Sequence, residues 1–157
     1  MPLIAKPKPK PVMKYSTYTL LPCDDFTYHT DGVIILRSDE ILVDEKAQKV
    51  EDKRNLVNAV KPLLELAKRS SIPLMDAEEE IKTDFGVAHK FSTADGMDIY
   101  IDKKYIFSPK MRLFAGHSEN VPVRIEINDK FIGAVASILI PEALKERTKP
   151  AEVVIYD

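Results

Sequence analysis

The chain has 157 residues, with 25 acidic and 23 basic side chains, a formal net charge of −2, and 45% hydrophobic residues. This length fits one domain with its own core, and the near-neutral charge excludes a whole-molecule field that attracts nucleic acid or an anionic membrane. One cysteine excludes an internal disulfide, and no apolar run approaches the roughly 20 residues that a membrane-spanning helix needs. We therefore expect a soluble, cytoplasmic protein with no membrane partner.

The first twelve residues, MPLIAKPKPKPV, alternate prolines with Lys6, Lys8 and Lys10. Proline fixes φ and lacks an amide donor, and neighbouring like charges repel one another. The pattern predicts a flexible, extended arm over 1–12, followed by a single domain over 13–157. The arm is either a solvated tail or a basic segment that contacts an acidic partner or phosphate groups.

The first half of the folded part combines strand patterns with one clear helix. Aromatic and β-branched residues predict strands at 14–21, 32–37 and 40–44, and the last two could form a hairpin. Apolar residues at helical spacing predict the main helix at 51–69, and Pro62 is expected to kink or break it.

The acidic run that follows contains Asp76, Glu78, Glu79 and Glu80. It fits either a helical turn or a loop. Its carboxylates are expected to form a solvated face.

Beyond residue 84 the apolar residues change from helical spacing to the alternation of β-strands. Asp95-Gly96 and Asn128-Asp129 mark tight turns between such strands. The apolar run after the second turn is typical of a central strand covered on both faces. Strands are expected at 85–93, 97–102, 110–116, 121–127, 131–140 and 152–157, with a helix as the alternative at 110–116. A short helix that begins with Pro141 is expected at 141–147.

Strands predominate, and short turns join most of them. This order predicts an α+β fold with an antiparallel or mixed β-sheet and one main helix packed on it. Pro122 favours either an edge position or the start of the strand at 121–127. An edge strand there would favour self-association by strand addition.

Cys23, Asp25, His29 and Asp31 form the densest cluster of polar residues. A thiolate, an imidazole and carboxylates are ligands for zinc or another divalent ion, so this set would suit a small metal-dependent hydrolase or nucleotide-handling enzyme. The spacing matches no closed zinc motif, and a turn in which aspartates bond their own backbone is the alternative. We expect no catalytic residues, no bound metal and no cofactor.

Two other histidines have simple interpretations. His89 alternates with Val87 and Phe91 and is expected on a sheet face, and His117 is expected in a loop. Basic and aromatic residues mix between 103 and 112. Either they contact a nucleotide or single-stranded nucleic acid, or the aromatic side chains enter the core while the lysines face water. The candidate binding residues are Lys6, Lys8, Lys10, Lys103, Lys104, Tyr105 and Arg112.

Two segments, MDIYIDKKYI (97–106) and KMRLFAGHSENVPVRIEINDKFIGAVASILIP (110–141), resemble the last half-domain of the bacterial sliding clamp, the replication processivity factor. The shared features are a helix start at Tyr105-Ile106, a strand at Pro122-Val123 and a hydrophobic strand that ends in proline at Ile140-Pro141. Residues 77–81 resemble the segment that precedes these features in the clamp domain. The first half of the chain departs from this pattern, because it has room for fewer strands than a clamp domain has. The resemblance implies a DNA replication accessory role in an oligomer, and no catalytic residues.

The preferred interpretation is a non-catalytic protein that binds a macromolecule or a second copy of itself through a sheet surface. The alternatives are the clamp-like accessory protein and the small metal-dependent enzyme. A protein partner or self-association is expected, and a nucleic-acid partner is not signalled by the charge.

Overall fold

The computed structural model describes residues 19–23, 26–37, 48–49, 54–84 and 86–151. Within them the chain forms an α+β fold, as predicted, with two sheets and one main helix. The strands are β1 Thr19–Cys23, β2 Phe26–Thr30, β3 Ile34–Arg37, β4 Gln48–Lys49, β5 Ile72–Pro73, β6 Met75–Thr83, β7 Gly86–Ser92, β8 Asp98–Asp102, β9 Met111–Ala115, β10 Val123–Ile127, β11 Lys130–Val135 and β12 Lys149–Pro150. The helices are α1 Arg54–Arg69 and α2 Glu142–Lys145, and a 3-10 turn covers Lys103–Tyr105.

The larger sheet has eight strands in the order β4-β1-β2-β3-β11-β10-β9-β5. Among the described pairs only β1 and β4 run parallel, and every other pair is antiparallel. The smaller sheet has four antiparallel strands in the order β12-β6-β7-β8.

The two sheets pack face to face over the main core. Alternate residues of a strand point to opposite faces. Ile34 and Leu36 of β3 therefore join this inter-sheet core, whereas Ile35 faces α1 on the other side of the larger sheet. The smaller sheet contributes Phe91, Ile99 and Ile101, and β10 contributes Val123 and Ile125, which confirms the alternation predicted there.

Helix α1 buries Val60, Leu64 and Ala67 against the larger sheet. The main helix of the sequence prediction is thus confirmed over Arg54–Arg69, and its predicted first residues, 51–53, lie outside the described residues. The helix continues through Pro62 without the break that the sequence allowed. Pro62 lies on the exposed side, so the buried contacts of the opposite face hold the helix together across it.

Strand β10 lies between β9 and β11, so the predicted edge position of this segment is wrong. Pro122 instead immediately precedes the strand, where its missing amide interrupts no ladder hydrogen bond. The Ser70 hydroxyl donates to the Pro122 carbonyl at 2.9 Å. Self-association by strand addition at this strand therefore loses its basis.

The acidic run is part of β6, so both the helical turn and the loop predicted for it are wrong. The β6–β7 register shifts between Asp76 and Glu79, and Glu78 has a φ of 55° within this bulge. The predicted solvated face holds for Asp76 and Glu78, which are exposed, but is wrong for Glu80, which is only 3% exposed. The bulge aims the carboxylates at partners on neighbouring elements, which sequence periodicity does not reveal.

The turn at Asn128-Asp129 is the predicted two-residue hairpin turn, with φ values of 53° and 63°. The connection at Asp95-Gly96 is longer: Thr93 and Met97 close it by a backbone hydrogen bond of 2.9 Å, and only Gly96 has a positive φ.

The apolar run 131–140 is divided between two structures. Its first half is in β11, a central strand as predicted, but the strand ends at Val135. Ile138 then forms a bridge to Tyr100 of β8 and packs with Ile140 and Leu144 on the outer face of the smaller sheet. Pro141 precedes α2 rather than starting it.

Several predictions fall outside the described residues. They are the arm at 1–12, the strand at 40–44, the final strand at 152–157 and the first part of the strand at 14–21, of which β1 confirms the end. The short strand β12 was not predicted. None of the helices that the structure describes is long and apolar enough to cross a membrane.

Candidate functional site

A groove lies between the two sheets, where Leu74 carries the chain from β5 of the larger sheet into β6 of the smaller one. It encloses about 710 Å³ and is called the inter-sheet groove below. This volume is in the range of ligand sites in proteins. Its lining residues are Pro73, Leu74, Asp76, Glu78, His89, Phe91, Lys103, Ile106, Ser108, Pro109, Met111, Arg112, Leu113, Phe114, Pro150 and Ala151.

The floor of the inter-sheet groove is apolar and continues the inter-sheet core. Phe91 and Leu113 are buried core members, and Leu74, Ile106 and Met111 pack against them while remaining partly exposed. The main-chain amide of Leu74 donates to the Leu113 carbonyl at 2.9 Å, which fixes the crossing segment to β9. Apolar surface that is left partly uncovered beside a packed core is a feature of binding sites.

His89 and Asp76 form a pair on the wall that the smaller sheet provides. The His89 Nε2 and Asp76 Oδ1 atoms are 2.5 Å apart, and the His89 ring lies with its centroid 5.0 Å from that of Phe91. The same Asp76 oxygen accepts from the Glu78 amide at 2.7 Å. His89 is 7% exposed, whereas the side chain of Asp76 is 55% exposed. The pair therefore presents an oriented imidazole inside the groove and an open carboxylate at its rim.

Lys103 enters the inter-sheet groove from the 3-10 turn. Its Nζ atom lies 3.0 Å from Glu80 Oε2, and the Glu80 side chain is almost fully buried. On the outer face of the same sheet, Lys90 lies 3.1 Å from Glu79 and 3.8 Å from Asp98. The hydrogen bond to Glu79 raises the pKa of Lys90, and partial burial opposes the shift.

The opposite wall carries Arg112 on β9. Its guanidinium lies 3.5 Å from Asp129 and 5.7 Å from the centroid of the Phe114 ring, and the side chain is 63% exposed. Each cation of the groove thus has a carboxylate partner. Glu78, by contrast, has no ion pair among the residues that the structure describes. The charge that remains uncompensated at the rim is therefore negative.

Two residues of the sequence-predicted metal set have their side chains in the structure, and neither lines the inter-sheet groove. His29 is 5% exposed on β2, and burial lowers the pKa of its imidazole. Asp31 accepts from the amides of Val33 at 2.8 Å and Ile34 at 3.0 Å, and its other oxygen accepts from the Tyr105 hydroxyl. This is the backbone-bonding turn that the sequence left open as the alternative.

The structure describes no side chain for the remaining two members of that set. Asp25 is not described, and Cys23 is described only as a strand position. In the described ranges, no three His, Cys, Asp or Glu side chains are grouped so that they could hold a metal ion.

The structure brings two of the candidate binding residues, Lys103 and Arg112, to the inter-sheet groove and places Lys104 and Tyr105 outside it. Tyr105 is 3% exposed in the core. Lys104 stays largely exposed, with its Nζ atom 5.0 Å from the centroid of the Tyr105 ring. Lys6, Lys8 and Lys10 lie outside the described residues.

Sequence reasoning missed Asp76, Glu78 and His89 as parts of one site. The alternation with Val87 and Phe91 correctly placed His89 on a sheet face, beside the Phe91 ring. The signal that was lacking is the bulge, which brings Asp76 within reach of His89 although the strand register pairs Asp76 with Phe91. His117 lies in an exposed loop and lines no part of the groove.

Comparison with protein-family models, with curated proteins and with solved structures gives no match for this chain.

Proposed function

We propose that this protein is a non-catalytic binding protein that holds an extended segment of a macromolecule in the inter-sheet groove. The observation that carries the proposal is the partly exposed apolar floor formed by Leu74, Ile106 and Met111, which has charged groups only at its rim. Apolar contact supplies affinity in such a site, and the few polar groups at its edge orient the ligand.

The sheet edges support a groove rather than strand addition as the binding mode. Ile138 bridges the outer edge of β8. The main-chain amide of Ile138 donates to the Tyr100 carbonyl at 2.7 Å. The edge of β9 is partly covered by Ile72, Pro73 and the Leu74 amide. A partner strand would have only short free edges at these two places.

A peptide display library panned on the full-length chain tests the proposal. Selected peptides should bind the wild type and the Leu139→Glu control, because Leu139 is 60% exposed and does not line the groove. They should lose at least roughly tenfold in affinity with Leu74→Glu, which places a charge on the apolar floor.

Arg112→Glu is a second groove variant. Because the Arg112 side chain is 63% exposed, the variant should fold like the wild type, which circular dichroism would verify. Selected peptides whose binding is unchanged by both groove variants would contradict the proposal. A library that yields no peptide above background would contradict it as well.

One observation favours a second candidate, a hydrolase that uses His89. With Nε2 bound to Asp76, the other ring nitrogen of neutral His89 is available to take a proton, which is the arrangement of a general base. The candidate enzyme therefore rests on the His89–Asp76 pair and no longer on the predicted metal set around His29. Turnover of chromogenic esters or phosphates that disappears in His89→Gln would favour the enzyme over the binding protein.

A further inference from the structure

We infer that the occupant of the inter-sheet groove is a basic, proline-containing extended peptide, with the composition that residues 1–12 of this chain have. This rests on the proposed function and adds the chemical class of the ligand. The argument combines the charge at the rim, the character of the floor and the sequence of the chain itself.

The rim of the inter-sheet groove favours a cation. Lys103 and Arg112 are compensated by Glu80 at 3.0 Å and Asp129 at 3.5 Å. Glu78 is exposed and without an ion pair in the described ranges, so its full charge faces the solvent at the mouth of the groove.

Asp76 adds to this negative rim. One of its oxygens already accepts from the His89 ring and from the Glu78 amide, and the half-exposed side chain leaves the second oxygen open. A lysine ammonium at this rim would make a charge-assisted hydrogen bond to the open Asp76 oxygen and would be attracted by the Glu78 carboxylate, which lines the same groove.

The floor of the groove suits proline rings and lysine stems. Pro73, Pro109 and Pro150 line the inter-sheet groove, together with Phe91 and Phe114. A polyproline II segment is already extended and has no internal hydrogen bonds, so it loses little conformational entropy when it binds an aromatic-lined groove. The aliphatic stem of a lysine can cover apolar surface while its ammonium group reaches the rim.

The chain itself contains such a sequence. In MPLIAKPKPKPV the residues Lys6, Lys8 and Lys10 alternate with prolines. A separate peptide of this composition therefore has the charge and backbone preference that the groove selects.

The test uses a fluorescein-labelled peptide with the sequence of residues 1–12 and measures anisotropy as the full-length chain is added. The chain carries Lys6→Gln, Lys8→Gln and Lys10→Gln, so that its own N-terminal segment does not compete. Saturable binding is expected, and it should weaken as ionic strength rises, because the contacts at the rim are between exposed charges.

Glu78→Gln in the same background should weaken binding by roughly fivefold, the upper range for an exposed ion pair. Glu142→Gln is the matched control, since it neutralises an exposed carboxylate on α2, outside the groove, and should change affinity by less than about twofold. A peptide in which glutamate replaces each lysine should not bind.

The outcomes separate this inference from the proposed function. If display peptides bind in the groove but the lysine peptide does not, or if the glutamate peptide binds better, the ligand class is wrong and the groove remains a binding site. If the lysine peptide binds and Glu78→Gln has no effect, the inference is also wrong, because the peptide then binds elsewhere. If neither the library nor the lysine peptide binds, both proposals fail.

Discussion

At the scale of single residues, Asp31 and Tyr105 show how side chains far apart in sequence fix the site. The Tyr105 hydroxyl donates to Asp31, 74 positions earlier in the chain, while Asp31 also caps the start of β3. Tyr105 ends the 3-10 turn that supplies Lys103, so this contact anchors one wall of the inter-sheet groove to the larger sheet.

Burial of His29 should make stability depend on pH. The folded protein holds the pKa of this imidazole below its ordinary value of 6.5, so the unfolded chain binds the proton more readily. The free energy of unfolding should therefore fall as the pH drops below 6.5, until the folded-state pKa is reached.

Thermal unfolding of wild type and His29→Leu across this pH range measures the effect. The variant should show a shallower decrease in melting temperature, because it lacks the titrating group. His117→Gln should follow the wild type, since His117 is exposed. Parallel pH profiles for wild type and His29→Leu would show that His29 does not contribute.

In the Glu80–Lys103 pair, the stability lost on substitution should depend on which of the two residues is replaced. Lys103→Met leaves the buried Glu80 carboxylate without its cation, and we expect a loss of about 2–3 kcal/mol in urea unfolding. Adding Glu80→Gln should recover part of this loss, because the amide carries no charge that needs a partner. A double variant as unstable as the sum of the two single variants would contradict direct pairing.

At the scale of elements, helix α1 contains Pro62, a residue type with an unfavourable intrinsic helix propensity. Pro62 lies inside the helix on its exposed side and cannot donate a backbone hydrogen bond. Pro62→Ala should therefore raise the free energy of unfolding by about 1–2 kcal/mol, less than the full helix penalty because the unfolded chain also gains freedom.

Urea denaturation measures this gain, and Lys61→Ala next to it is the control, with an expected change within about 0.5 kcal/mol. An unchanged or reduced stability for Pro62→Ala would mean that the proline stabilises the helix through contacts of its ring.

The elements also show which parts of the fold the sequence could predict. Strand β10 and its turn at Asn128-Asp129 were predictable, because one face carries only apolar residues and the turn residues tolerate positive φ. The bulge in β6 was not, since Glu78 adopts its φ of 55° in a strand where Asp76, Glu79 and Glu80 bond to side chains that are distant in sequence.

The candidate site was the least predictable part. Its residues come from β5, β6, β7, β9, β12, the 3-10 turn and the segment after that turn, and no short motif joins them. Local patterns drew attention to Lys103 and Arg112, which line the groove, but not to the His89–Asp76 pair, which forms only once the sheet register is set.

At the scale of the whole molecule, the sliding-clamp resemblance makes a prediction about assembly. One chain of 157 residues cannot encircle DNA by itself, so a clamp-like protein must form a stable ring of several copies. Light scattering on the purified protein should then give a multiple of 17.8 kDa. A mass equal to one chain at all concentrations would contradict the clamp-like role.

The bridge between Ile138 and Tyr100 has a consequence for how the protein behaves when concentrated. Open strand edges recruit further molecules into amyloid-like fibres, and this short segment blocks part of the outermost strand of the smaller sheet. After proteolytic nicking at Val135, only the non-covalent contacts with the smaller sheet would hold the block in place, so cleaved preparations should turn cloudy during storage before the intact chain does.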